Sequence, residues 1–565
     1  MTAAATIDLV LHGGHVLTCD AARTSAQAIA IAGNRIAAVG SDDDILRLAT
    51  PTTRVMTLQG RTVVPGLTDG HAHMDREGLR RNLPGFAGAR AISDILDMLA
   101  DVVRNTPPGA WIVTQPLGEA PEYPDPAASL REGRYPTRAD LDKVSPLNPV
   151  YIRPIWGYWR NRAPLVSIAN SLALSLAGIG RHSLSPSPDV TIERDADGDP
   201  SGVFTENTLV PIVEHTLMRA APGFTLGQRV TGLRHGMQVY NAVGTTAVFE
   251  GHGAAGEVVA AYQEVLRQGA PTVRATLTFS PHWGVSGDGD AIELLREWST
   301  WLKSDPAAQP WLRMQGFYAE IDNDTHNNPL RAGNHPCTGW AGFQSGAALP
   351  ADALAALLVE AARAGIRVAG IWPNLLPLFA AADRASPIHD LRWVLGHQPV
   401  LEPETIPLLR DLGIVVTTHT NRHIYKDGHL WAERRRSAGL DDIVPLRSLL
   451  DAGVPVAFGS DNLPVSLLNP IAHAVNRRSR TGEPVAPAQA ISRHEALEIA
   501  TRGGAYLTFD EDRRGTLAPG KLADLVVLSA NPLDCAPEAI ANIHAHLTIV
   551  DGRVVHIGHP PGECS

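Results

Sequence analysis

The strongest constraint on how this chain folds is a rhythm in its middle. Short apolar runs, GTTAVFEG, VRATLTFS, GIRVAGIW, LRWVLGH, GIVVTTH and VPVAFGSD, alternate with helical patterns such as ADALAALLVEAARAG and VPLRSLLDAG. Apolar runs this short, bounded by turns, read as strands buried on both faces. Strands that alternate with helices build a parallel sheet or barrel. The two ends of the chain differ from the middle. IDLVLHGGHVLT and AQAIAIAGNRIAAVG alternate apolar and polar residues, with Gly33-Asn34 as a hairpin turn. GKLADLVVLSANP supplies a further strand near the C-terminus, and LTIVDGRVVHIG two more around Asp551-Gly552. Between about residues 107 and 224 the rhythm breaks in a stretch rich in Pro, Gly and aromatics, far longer than one βα connection needs, and this reads as an insertion. Its aromatics Tyr151, Trp156, Tyr158 and Trp159 either close over a ligand or form the core of a subdomain.

The chemistry concentrates where apolar runs end. His71 and His73 follow RTVVPGL two residues apart, so a strand continuing through them would project both imidazoles from one face. His397 ends LRWVLGH, and Asp461 follows the turn residues Gly459 and Ser460 in VPVAFGSD. Three strand ends in a βα series, each presenting a His or Asp, match the way α/β barrels assemble sites at the C-terminal ends of their strands. The cysteines Cys19, Cys337, Cys535 and Cys564 are scattered, which excludes a thiolate cluster and leaves metal binding to His and carboxylates. Imidazoles with a carboxylate suit a divalent ion, above all Zn²⁺, which lowers the pKa of a bound water to about 7. In that scheme Asp461 and His397 are catalytic as well as ligating, with Asp461 taking a proton from water and returning it to the leaving group.

These motifs have a familiar order. PGLTDGHAH, the GH at a strand end, GSDNLPV, ATRGGAYL and the closing GTLAPGKLADLVVL together resemble the amidohydrolase superfamily, in its long-chain family 3 branch of N-substituted formamide deformylase-like enzymes. The resemblance covers nearly the whole chain. It implies an α/β fold: a (β/α)₈ TIM-type barrel over residues 67–505, beside a composite β-sandwich built from residues 1–66 and 506–565. It also implies one or two metal ions, with His71 and His73 as the first-strand pair, His397 as the sixth-strand histidine and Asp461 as the eighth-strand aspartate.

Two ligands common in that superfamily are missing. Where its fourth strand carries a carboxylated lysine, this chain reads MQGFYAEIDND and offers Tyr318 and Glu320. Where its fifth strand ends in a histidine, GIRVAGIWPN places Gly370. Glu250 in TAVFEGHG is a replacement metal ligand on this reading, with His252 beside it and Glu320 as the competing carboxylate; the alternative for Glu250 is a hydrogen-bonded loop carboxylate. Trp156, Tyr158, Tyr318, Glu320, His419 and His423 are candidate substrate contacts, with His419 and His423 alternatively replacing a lost ligand, and His326 and His335 are weaker candidates.

The expected function is therefore metal-dependent hydrolysis of an amide-like C–N bond in a small organic substrate. A deaminase or a hydrolase of cyclic, lactone-type substrates on the same barrel is the enzymatic alternative. A degenerate barrel that binds a small molecule is the alternative of another class. The net charge of -11 carries no basic stripe, which disfavours nucleic-acid partners. No run of about 18 apolar residues occurs and the N-terminus lacks a basic leader, so a cytoplasmic protein with no membrane partner, open to homo-oligomer formation, is expected.

Overall fold

A computed structural model describes residues 6–121, 123–155, 163–269, 271–286, 291–305, 308–333, 338–436, 441–461 and 463–558. Eight strands, hydrogen-bonded in chain order and all parallel, form its centre. They are β1 Leu67–Asp69, β2 Thr245–Ala254, β3 Arg274–Phe279, β4 Leu312–Tyr318, β5 Val368–Gly370, β6 Val394–Gly396, β7 Val415–Thr418 and β8 Val456–Phe458. The Gly70 N–H donates to the Phe458 carbonyl at 2.7 Å and the Asp461 N–H to the His71 carbonyl at 2.8 Å, and these two bonds join the last strand to the first.

The strands form a barrel because both of their faces are apolar. Val394, Val415 and Ala457 share one buried cluster with Phe249, Ala369 and Leu507. Their chain neighbours Leu395, Val416 and Phe458 belong to the larger cluster shared with the helices. The alternation follows from the two-residue period of a strand, which sends successive side chains to opposite faces. Helix Ala351–Arg363 shows the matching helical pattern, burying Leu354, Leu357, Leu358, Ala361 and Ala362 along one stripe. Each leucine taken fully out of water there contributes about 2 kcal/mol.

Both chain ends meet in one sandwich. One sheet has four strands, in the order Arg35–Gly40, Ala28–Ala32, Leu9–His12, Arg54–Thr57. In the other, of six strands, Thr62–Pro65 runs antiparallel to Leu525–Leu528 with Val64 opposite Val526. Ile29, Ile31, Val63, Leu525, Val527 and Ile549 share the buried core of this sandwich. The sandwich is locked to the barrel at the base of β3, where Arg274 pairs with Asp524 at 2.7 and 3.1 Å and with Asp551 at 2.9 Å.

Between β1 and β2 stands a separate five-stranded sheet, in the order Val190–Arg194, Pro200–Glu206, Leu165–Ala169, Val150–Ile152, Ile112–Thr114. Tyr151 is fully buried in the core of this sheet beside Phe204. Trp156, Tyr158 and Trp159 lie outside the described residues. Helix Leu226–Ala242 then leads into β2, its first turn closed by reciprocal bonds between Thr225 and Gln228. Among the described residues no helix is long and apolar enough to cross a membrane.

Candidate metal centre

The site begins at the end of β1. The strand stops at Asp69, so His71 and His73 stand on the turn into helix Met74–Arg80 rather than on a continuing strand. The buried Asp69 carboxylate holds that turn, accepting the His71 N–H at 3.1 Å, the Ser460 N–H at 3.0 Å and the Ser460 hydroxyl. It thereby ties the turn after β1 to the turn after β8. Burial, opposed by these hydrogen bonds, pushes the Asp69 carboxyl up to about 7.

Three imidazoles converge on one carboxylate oxygen. His73 Nε2 stands 3.1 Å from Asp461 Oδ1, and the Nε2 atoms of His71 and His397 each stand 3.6 Å from it. His71 Nε2 and His397 Nε2 are 3.1 Å apart. His419 holds the other carboxylate oxygen, Oδ2, at 3.0 Å. His71, His73 and Asp461 are only 3%, 6% and 4% exposed, so the cluster is largely shielded from bulk water.

His397 and Asp461 both have left-handed backbone, with φ of 61° and 62°. For a residue with a Cβ this costs about 1–2 kcal/mol. The surroundings hold both in place: the His397 N–H donates to the Thr417 carbonyl at 3.1 Å and the Asp461 N–H to the His71 carbonyl at 2.8 Å. Strain of this kind, maintained at two neighbouring polar side chains, is characteristic of functional sites.

The protonation states suit cation binding. Burial drives His71 well below the ordinary imidazole value, and burial followed by the nearby charge of Arg76 lowers His73 to about 4, so both are neutral at pH 7. Burial works against ionisation of Asp461, but the surrounding imidazoles, His419 and His397 foremost, outweigh it and keep the carboxyl well below the usual carboxylate range. Neutral His71 and His73 thus stand beside a carboxylate, the form in which these side chains ligate. Around an ion with 2.0–2.1 Å bonds and tetrahedral angles, ligand atoms stand about 3.3 Å apart. The separations of 3.1, 3.6 and 3.6 Å among His71, His397 and Asp461 bracket that value, so these residues fit a divalent metal.

The neighbouring candidates fall into distinct places. Glu250 stands behind His73: its Oε2 is 3.9 Å from His73 Nδ1, while its Oε1 accepts the Met74 N–H at 2.9 Å and the Tyr262 hydroxyl at 2.7 Å. Burial, reinforced by the Asp75 carboxylate, holds the Glu250 carboxyl well above its ordinary range. The position of Glu250 is thus a hydrogen-bonded one, and His252 is the residue of β2 that stands among the histidines. A register shift against β3 between Glu250 and Ala254 separates their directions, and a bulge of this kind re-aims side chains. Nothing in the two-residue spacing of EGHG signals that bulge.

Tyr318 is buried and donates to Glu320 Oε2 at 3.3 Å, and Trp372 Nε1 donates to Glu320 Oε1 at 3.0 Å. His423 lies behind His419, with ring centroids 5.3 Å apart, on a π-helical turn spanning Asn421–Lys426. His326 is exposed, and His335 lies outside the described residues. At Gly370 the space where a Cβ would begin is taken by Leu375, whose Cδ1 would be 2.1 Å away, so a leucine occupies the direction a fifth-strand histidine would take.

A cavity of about 140 Å³ opens onto His73, His252, His397 and Asp461. Arg76, Glu320 and Arg422 are its other charged walls, and Leu209, Val210, Phe343, Ile371 and Trp372 its apolar and aromatic ones. Leu209 and Val210 come from the segment before β2, a contribution with no local signal in the sequence. A larger hollow of about 800 Å³, lined by Arg447, Val456 and Arg502, touches none of the histidines.

A family model described as "Amidohydrolase family" matches residues 54–556. N-substituted formamide deformylase of Arthrobacter pascens is 28% identical over 577 residues, covering 96% of this chain and 97% of that protein. Protein LONG AFTER FAR-RED 3 of Arabidopsis thaliana is 25% identical over 557 residues, covering 93% of this chain and 88% of its own. The crystal structure of an uncharacterized metal-dependent hydrolase from Pyrococcus furiosus shares the fold with a TM-score of 0.65 at 19% identity, covering 93% of this chain and 100% of that one.

Proposed function

The chain belongs to the amidohydrolase family, and from that membership we propose that it is a metal-dependent hydrolase cleaving an amide-like C–N bond in a small organic substrate. The observation that carries the proposal is the convergence of His71, His397 and Asp461, with separations of 3.1 to 3.6 Å, beside a cavity that His397 and Asp461 line. His71, His397 and Asp461 would hold a divalent ion here, zinc by the borderline character of the imidazole donors, and that ion would supply water activation at neutral pH and polarisation of the substrate carbonyl. The protein's own groups then move the proton. Asp461 Oδ1 accepts it from the attacking water and returns it to the departing nitrogen, which makes Asp461 both general base and general acid. His419, holding Oδ2 at 3.0 Å, fixes the plane of that carboxylate.

The cavity narrows the substrate. Its volume of about 140 Å³ is close to that of a buried cavity that accepts benzene. Phe343, Ile371 and Trp372 favour an apolar group, so an N-substituted amide with a very small acyl part suits the site best. The relationship to the Arthrobacter formamide deformylase supports the same bond class. The test is formate and amine release from a panel of N-substituted formamides and acetamides, by protein as purified, after chelator dialysis and after zinc restoration. Activity that falls with the metal and returns with zinc is expected; full activity in metal-free protein would refute the proposal.

A further inference from the structure

The ring of His252 lies among three other imidazoles. Its centroid is 6.3 Å from that of His71, 5.9 Å from His73 and 6.4 Å from His397. Ligand-capable atoms of His71, His73 and His252 all lie within 4.8 Å of one another. The ring is partly buried and lines the cavity, so its nitrogens stand where a ligand entering the cavity can meet them.

The ring is also held in a fixed plane. Phe343 stacks on it at 4.2 Å with only 11° between the planes, and Tyr318 flanks it at 4.8 Å. These contacts limit rotation of the ring without using its nitrogens, the kind of support that orients a metal ligand. The bulge in β2 supplies the direction, turning His252 toward His71 and His73 while Glu250 faces Met74 and Tyr262.

We infer that His252 is itself a metal ligand, completing with His71 and His73 a three-imidazole donor face contributed by β2 and by the turn that follows β1. The inference rests on the reading of the site as a metal centre. It assigns the bound cation to the borderline transition ions that prefer imidazole, zinc first, over magnesium or calcium, which prefer oxygen.

The test uses the full-length protein stripped of metal and reloaded with zinc or cobalt alone. Zinc affinity, measured by competition with a chromogenic chelator, should weaken at least about 100-fold in His252→Ala, since removing even groups that only orient ligands costs about 10–100-fold. Unchanged affinity in a folded His252→Ala protein would overturn the inference. His252→Cys provides a readout that does not depend on loss: if position 252 reaches the ion, cobalt loading produces a thiolate-to-cobalt charge-transfer band in the near ultraviolet. Cobalt bound without that band would also overturn it. Failure of the unmodified protein to bind zinc or cobalt would instead refute the metal-centre reading and the inference with it.

Discussion

Gly459 packs directly against His71, and substituting it tests whether the position of His71 matters as the geometry requires. A Cβ on residue 459 would lie 2.5 Å from His71 Cβ, 3.1 Å from its backbone nitrogen and 3.2 Å from its Cα. Carbon atoms in contact prefer a separation of about 3.5–4.0 Å, so Gly459→Ala leaves an overlap of about 1 Å. His71 cannot rotate out of it, because the opposing atoms are its Cβ and backbone. That backbone is pinned by the His71 N–H to Asp69 at 3.1 Å and by its carbonyl to the Asp461 N–H at 2.8 Å. The displacement therefore passes to the imidazole. A shift of about 1 Å at a catalytic position costs about 100-fold in rate, equivalent to about 2.7 kcal/mol of transition-state stabilisation. Gly370→Ala is the control, since its nearest clash, at 2.1 Å, is with the terminal methyl of Leu375, which a rotamer change relieves. The assay is kcat/KM on the best formamide substrate with zinc saturating, alongside circular dichroism to confirm folding. A loss of about 100-fold in Gly459→Ala against less than about 10-fold in Gly370→Ala is expected; wild-type kcat/KM in a folded Gly459→Ala protein would refute the placement of His71.

Two further predictions concern stability. Glu206 is fully buried, and burial, opposed by hydrogen bonds from the Ile212 and Val213 N–H groups, raises its carboxyl from 4.5 to about 7. A raised acid favours the native state below pH 4.5 and loses that contribution as pH climbs through about 7, so Glu206→Gln should gain up to about 3 kcal/mol over wild type between those values, read from denaturant midpoints at pH 4, 6 and 8. No pH-dependent difference between the two proteins would contradict the burial argument. Arg274→Met strands the Asp524 carboxylate, only 3% exposed, at the barrel–sandwich junction and should cost about 3–5 kcal/mol. Thermal unfolding that matches wild type would show that this pair does not join the two parts.

Much of this architecture can be read from the chain because its periods are local. The apolar runs LRWVLGH and VPVAFGSD end as β6 and β8, and the His and Asp that follow them stand within 3.6 Å of each other across the barrel mouth. The reach of Asp461 to His73 follows from the same strand-end logic. What the sequence conceals depends on neighbours far along the chain. The bulge that separates Glu250 from His252 is a mismatch between β2 and β3, invisible in either strand alone. Asp69 reads as half of an Asp-Gly turn, yet its carboxylate binds Ser460 beyond β8. His419 reads as a loop histidine facing substrate, whereas the end of β7 sets it against Asp461 Oδ2. In each case the deciding partner is brought close only by closure of the barrel.

That dependence points to a coupling between the site and the seam of the barrel. The strand ladder runs from β1 through β2 to β8, with seven consecutive pairings in the sheet order, while β8 returns to β1 through the Gly70–Phe458 and His71–Asp461 backbone bonds and the Asp69–Ser460 contacts. Those closing bonds involve a candidate ligand or a residue next to one. The left-handed backbone of Asp461, with φ of 62°, lets its N–H reach the His71 carbonyl while its carboxylate faces the imidazoles. Closing the barrel and assembling the donor set are consequently the same event. An ion bridging His71 to Asp461 and His397 would hold the seam from the side-chain direction, and because it binds only the closed form, its binding free energy adds to the stability of closure. The strain at His397 and Asp461 would then be offset where the bound cation and the last barrel contacts act on the same residues.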